Sequence, residues 1–117
     1  DTIRHFDYIP FSQVLPRAAA LVHHGGIGST AQAMAAGIPQ LMMPMAHDQP
    51  DNAYRVKKMH IGDWLLPRHF SGRRVAGKLS RLLNSPQIGQ HCRKIQEHFR
   101  DADPMSQACD VIEKAIR

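Results

Sequence analysis

Residues 23–30 read HHGGIGST: two histidines, glycines at 25, 26 and 28, and then two hydroxyl side chains. If a helix begins at this point, its first backbone N–H groups have no partner within the helix and sit at the positive end of the helix dipole. Glycine lets an anion approach those groups without a Cβ in the way. Gly25, Gly26 and Gly28 would leave that approach open. Ser29 and Thr30 would add hydroxyl donors, and His24 a donor able to carry positive charge. On a strand, successive side chains point to opposite faces, so His23 and His24 cannot both address one ligand. Taken alone, the glycines fit a phosphate seat and a plain turn capped by Ser29 equally well. The spacing is neither a P-loop nor GxGxxG. Adjacent histidines without a further ligand at metal-binding spacing argue against a metal site.

A second cluster, PMAHDQPDNA, spans residues 44–53. Asp48 and Gln49 pair a carboxylate with an amide, groups suited to the hydroxyls of a sugar. Asp48 also reads as the N-cap of the following helix, with Asp51 completing a capping-box pattern. One carboxylate oxygen can cap while the other binds. Asn52, one turn into that helix, reads as structural.

These clusters need elements to hold them. Alternation predicts a strand over 2–9, ended by Pro10. A short helix is expected over 11–18 and a buried strand over 19–23. A helix over 28–37 would end at Gly37, with Pro39 barring continuation. A buried strand is expected over 39–44, a helix over 48–62 with Pro50 in its first turn and a stop at Gly62, and a strand over 63–66. Helices are then expected over 71–84, 86–100 and 104–117. Strands alternating with helices through short links predict an α/β layer fold with a parallel sheet, and both chemical clusters follow strands at one edge of it.

The chain has 117 residues, 43% hydrophobic and 21% charged, which suits one small globular domain, 1–117, with a helical C-terminal tail. No apolar stretch is long enough to span a membrane, and the N-terminus lacks a signal-peptide layout. Cys92 and Cys109 are too few for a disulfide scaffold, so free thiols and a cytoplasmic setting are expected. The net charge of +5 permits nucleic-acid contact. Its basic segments read as solvated helix faces without an aromatic platform, so no nucleic-acid partner is expected.

The two clusters together carry a resemblance. LPRAAALVHHGGIGSTAQAMAAGIPQLMMPMAHDQPDNAYRV, residues 15–56, resembles the donor-binding signature of the UDP-glycosyltransferase superfamily, in the flavour that glycosylates sterols, macrolides and other natural products in bacteria. Such enzymes have the GT-B fold, two Rossmann-like domains around a cleft. The resemblance implies that this chain is part of the C-terminal, nucleotide-sugar-binding domain. It implies that His24, Gly26, Gly28, Ser29 and Thr30 hold the donor diphosphate, and that Asp48 and Gln49 contact the transferred sugar. Phe11 falls where the family cups the nucleobase, and Gln32 where many members place a ribose-binding glutamate. UDP is the nucleotide expected, with TDP the other candidate.

The mechanism implied is transfer with inversion to an acceptor hydroxyl, with no metal and no cofactor. Fixed donors stabilise the charge that grows on the departing diphosphate. The general base and most of the acceptor site belong to the N-terminal domain, so no catalytic residue is assigned here, and the isolated chain is expected to bind nucleotide without turnover. The apolar positions Ala108, Val111, Ile112, Ala115 and Ile116 fall at helical spacing and need a surface to cover, failing which the chain would self-associate. Two enzymatic alternatives differ in class: a separate donor-binding subunit of a split transferase, and a sugar-nucleotide epimerase of the same fold.

Overall fold

The computed structural model describes residues 2–117. A short helix α1 (Phe11–Val14) runs into a 3-10 turn (Leu15–Arg17), with Pro16 breaking the helical ladder that a continuous helix over 11–18 would need. Then β1 (Leu21–His23), α2 (Ile27–Ala36), β2 (Gln40–Met42), α3 (Gln49–Lys58) and β3 (Gly62–Trp64) alternate. Three helices close the chain: α4 (Gly72–Asn84), α5 (Pro86–Asp101) and α6 (Pro104–Ile116). The strands form one parallel sheet in the order β1-β2-β3, with Val22 opposite Leu41 and Leu41 opposite Asp63. This is the expected Rossmann-like layering, and it sets the loops after β1, β2 and β3 along one edge.

Each helix end has a local cause. Gly37 takes the left-handed conformation at φ +71° and closes α2, its N–H returning to the carbonyls of Ala33 and Met34. α3 stops earlier than expected, at Lys58. The left-handed residue there is His60, at φ +56°, not Gly62. Gly62 instead opens β3, where a Cβ would lie 2.3 Å from the Gln40 carbonyl oxygen, so close strand pairing is what requires glycine.

The strand expected over 2–9 does not form. Among the described residues no strand lies beside this segment, and Ile3 and Tyr8 stay 85% and 82% exposed. Alternation alone cannot make a strand without a partner.

The core has two parts. Met42, Ala53, Val56, Ile61 and Cys92 pack between the sheet, α3 and α5. Leu15, Ala33 and Ile38 pack where α2 meets the turn after α1. Ala33 is fully buried, which gives the small-residue run of α2 a packing role. Cys92 is buried and Cys109 exposed, both as free thiols. Helix α6 has no buried residue, and Val111, Ile112 and Ile116 on it are 67%, 58% and 80% exposed. Among the described residues, no helix is long and apolar enough to cross a membrane.

Candidate functional site

The site is built on the turn between β1 and α2. Gly25 sits at φ +95°, a conformation that favours glycine, and a Cβ there would press on the Gln49 carbonyl oxygen at 3.3 Å. Its N–H donates to His23 Nδ1 at 3.1 Å. That fixes the His23 tautomer: Nδ1 accepts, so Nε2–H donates, to Gln40 Oε1 at 2.8 Å. The Gln40 amide in turn donates to the Thr30 carbonyl at 3.2 Å. One chain of hydrogen bonds thus ties the glycine turn, β2 and the first turn of α2 together. Burial pushes the His23 imidazole below its ordinary range, more than the Gln40 bond raises it, and nearby His24 adds to the depression. His23 therefore stays neutral and structural.

His24, the residue after β1, is exposed where His23 is half-buried. Its Nε2 stands 3.7 Å from where a Cβ on Gly26 would be, at the mouth of the turn. Gly26 is the N-cap of α2, with extended backbone and no side-chain cap. The first helical bond runs from the Thr30 N–H to the Gly26 carbonyl at 3.0 Å. The amides of Ile27, Gly28 and Ser29 therefore precede the helical ladder and are available at the helix end. A Cβ on Gly28 would meet nothing within 4 Å, so packing does not account for that glycine. Ser29 is half-buried in the same turn.

Thr30 lies deeper than its neighbours in this turn. It is only 2% exposed, and its hydroxyl donates to the Gly26 carbonyl at 2.8 Å. It braces the turn from within. A hydroxyl one turn into a helix can reach the carbonyl four residues back, and at this buried position that bond satisfies it.

The loop after β2 carries the second cluster. His47 adopts a left-handed backbone at φ +58°, and Asp48 follows it, exposed. Strained backbone of this kind concentrates at functional sites. Asp48 precedes α3 but makes no cap bond to it, and the expected capping box is absent. Asp51 instead pairs with Arg55 at 2.7 Å, one helical turn on. Asp48 Oδ2 accepts from the Asn52 side chain at 2.9 Å, and the residue is exposed. Gln49 Oε1 accepts from the amides of Met45 and Ala46 at 2.9 and 3.2 Å, so the loop is held by its side-chain carbonyl.

Asn52 joins the two clusters. Its amide nitrogen donates both to Asp48 and to the carbonyl of Gly25 at 2.9 Å, and the residue is 8% exposed. Sequence reasoning read Asn52 as structural but did not see that it links the clusters. Gln40, fully buried, was missed altogether. The available signal was a lone amide in an otherwise apolar buried strand, which must find partners. Phe11 and Gln32, expected near base and ribose, line one cleft of about 200 Å³ beside α2, with Ser12, Pro16, Ala35 and Ala36. Among the described residues, no three His, Cys, Asp or Glu side chains gather closely enough to hold a metal.

Residues 1–115 match the family model described as Erythromycin biosynthesis protein CIII-like, C-terminal domain. The chain belongs to this family. Among curated relatives, it is 33% identical over 107 residues to demethyllactenocin mycarosyltransferase of Streptomyces fradiae, covering 92% of this chain and 23% of that protein. It is 30% identical over 114 residues to aklavinone 7-beta-L-rhodosaminyltransferase of Streptomyces galilaeus, covering 97% and 26%. The solved glycosyltransferase VinC, in complex with dTDP, superposes with a TM-score of 0.84 at 27% identity, over 97% of this chain and 30% of that one. The chain thus spans about a quarter of the length of the curated relatives it matches. The CIII-like C-terminal domain has the architecture described above, a parallel sheet with flanking helices that forms the Rossmann-like half of a GT-B fold, with a helical tail.

Proposed function

We propose that this CIII-like domain is the donor-binding part of a larger two-domain glycosyltransferase, holding a nucleoside diphosphate sugar at the sheet edge between α2 and α3. One observation carries the reading. The uncapped start of α2, with His24 over Gly26, is latched through the Gly25 carbonyl and Asn52 to the carboxylate of the exposed Asp48. An anion seat and a hydroxyl-binding pair are thereby held as one unit, in the order that diphosphate and sugar follow in a donor. The diphosphate oxygens would accept from the amides of Gly28 and Ser29, the Ser29 hydroxyl and His24. Asp48 and the Gln49 amide would take sugar hydroxyls. The cleft of Phe11 and Gln32 flanks α2 and would receive ribose and base.

As the bond from sugar to diphosphate breaks, negative charge grows on the departing oxygens. The helix amides and His24 are already aimed there and need little reorganisation, which is what lowers the barrier without a metal. The acceptor attacks from the opposite face, with inversion, its proton leaving to a base on the other domain. The family relationship supports a pyrimidine nucleotide, and the dTDP complex of VinC makes thymidine a base to test beside uridine.

The test is amide NMR of the labelled chain titrated with UDP, dTDP and their sugar conjugates. Shifts centred on Gly25–Ser29 are expected with either nucleotide, and further shifts at Asp48–Gln49 only with the sugar attached. His24→Ala or Ser29→Ala should weaken binding by about 1 kcal/mol or more, the range for a charge-assisted hydrogen bond. Absence of shifts at the glycine turn would sink the reading.

A further inference from the structure

From Trp64 to Gln96 the sequence contains no acidic residue, while it holds Arg68, Arg73, Arg74, Lys78, Arg81, Arg93 and Lys94. The chain's positive charge is concentrated in this stretch, and the remainder is net acidic. Helix α4 organises it. At about 100° per residue, Arg73, Gly77, Arg81, Arg74 and Lys78 share one arc of about 140°. Val75, Leu79 and Leu82 occupy the opposite arc, where Leu82 is buried and the other two half-buried. Lys78, at the inner margin, is bound to Asp63. Among the described residues, no carboxylate lies within ion-pair distance of Arg73, Arg74 or Arg81.

Between these cations lies an open groove of about 600 Å³ lined by Leu65, Arg73, Arg74, Gly77, Lys78 and Arg81. Gly77 forms part of it. Glycine inside a helix is destabilising relative to alanine, and a Cβ at Gly77 would meet nothing within 4 Å, so packing does not explain it. The groove starts beside the C-terminal end of β3, the sheet edge that carries the glycine turn and Asp48.

We propose that this face of α4 is a docking surface for a carboxylate-rich helix of a partner protein. From Arg73 to Arg81 the cations rise about 12 Å, and Arg73, Gly77 and Arg81 stand one turn apart, the repeat that acidic residues on every fourth position of an opposing helix present. The planar guanidinium fork matches a carboxylate in two-point contact. A bilayer is disfavoured because the apolar arc of α4 is turned into the fold and has nothing to insert. Single-stranded nucleic acid is disfavoured because no aromatic ring lines the groove to stack a base. The inference is independent of which sugar or nucleotide the domain holds.

The test uses fluorescence anisotropy of the chain with three probes: an alanine-based helical peptide bearing Glu at every fourth position, a DNA oligonucleotide, and vesicles containing phosphatidylglycerol. The acidic peptide should bind, weaken as salt rises, and bind more tightly than the other probes. Arg74→Gln with Arg81→Gln should weaken it by about fivefold or more, the range of exposed ion pairs acting together. Arg100→Gln, on α5, should change nothing. Failure of the peptide to bind, equal binding by the double variant, or tighter binding of DNA or vesicles overturns the proposal.

Discussion

Asn52→Ala tests the link between the two halves of the site. The wild-type side chain gives one hydrogen to the buried Gly25 carbonyl and the other to Asp48, each at 2.9 Å. Alanine leaves the Gly25 carbonyl without its side-chain partner in a buried setting, at a cost of about 1–3 kcal/mol. Asp48 is exposed, so water replaces most of what it loses. We therefore expect a stability loss of about 2 kcal/mol. With a urea m-value of about 1–3 kcal/mol/M for a small domain, the unfolding midpoint should fall by about 1 M at unchanged slope. The functional effect separates this variant from Asp48→Ala. Removing Asp48 should weaken a nucleotide sugar and leave the bare nucleotide unaffected. Removing Asn52 should weaken both, because the glycine turn loses its restraint. Calorimetric titration with UDP, dTDP and a sugar conjugate, under conditions where each variant is folded, gives the comparison. A stability change below about 0.5 kcal/mol, or unchanged nucleotide affinity, would refute the reasoning.

Three further outcomes are expected. Gly25→Ala should destabilise by about 1–3 kcal/mol in chemical denaturation, since alanine is strained at φ +95° and its Cβ meets the Gln49 carbonyl. His23 titrates below the ordinary histidine value of about 6.5, so between its own pKa and that value the unfolded chain binds more protons. Its contribution is thus complete above about pH 6.5 and is lost as pH falls through the folded value; comparing stability against pH for wild type and His23→Gln isolates it from the other histidines. Burial pushes the Cys92 thiol up to about 11, so a disulfide reagent near pH 8 should modify Cys109 quickly and Cys92 only on unfolding; rapid modification of both native thiols would contradict the buried packing.

The order and type of the elements from β1 to α6 were legible because each is bounded by local signals: Gly37 after α2, Pro50 inside α3, Pro86 and Pro104 at the starts of α5 and α6. What failed depended on partners. The segment 2–9 has the alternation of a strand, and among the described residues no strand lies beside it. Gly62 looked like a helix stop, yet its reason for being glycine is the Gln40 carbonyl across the sheet, a contact distant in sequence. Thr30 reads as an anion donor because hydroxyls favour first turns, and the bond its hydroxyl gives to the Gly26 carbonyl is a bracing role that the reading did not include. Whether such a hydroxyl turns outward or bonds back to its own helix depends on burial, which one helical turn of sequence does not encode.

The same distinction explains how the site works as a unit. The groups proposed to touch the donor, His24, the α2 amides and Asp48, are exposed and locally readable. The groups that hold them, His23, Gln40 and Asn52, are more buried and come from β1, β2 and α3. His23 accepts from the Gly25 amide, Asn52 donates to the Gly25 carbonyl and to Asp48, and Gln40 steadies the arrangement from β2 through His23 and the Thr30 carbonyl. A half-satisfied polar group in that position would destabilise the fold, so the network favours a single arrangement of both loops. If the donor binds as proposed, it meets loops already in place, and less of its interaction energy is spent on ordering them.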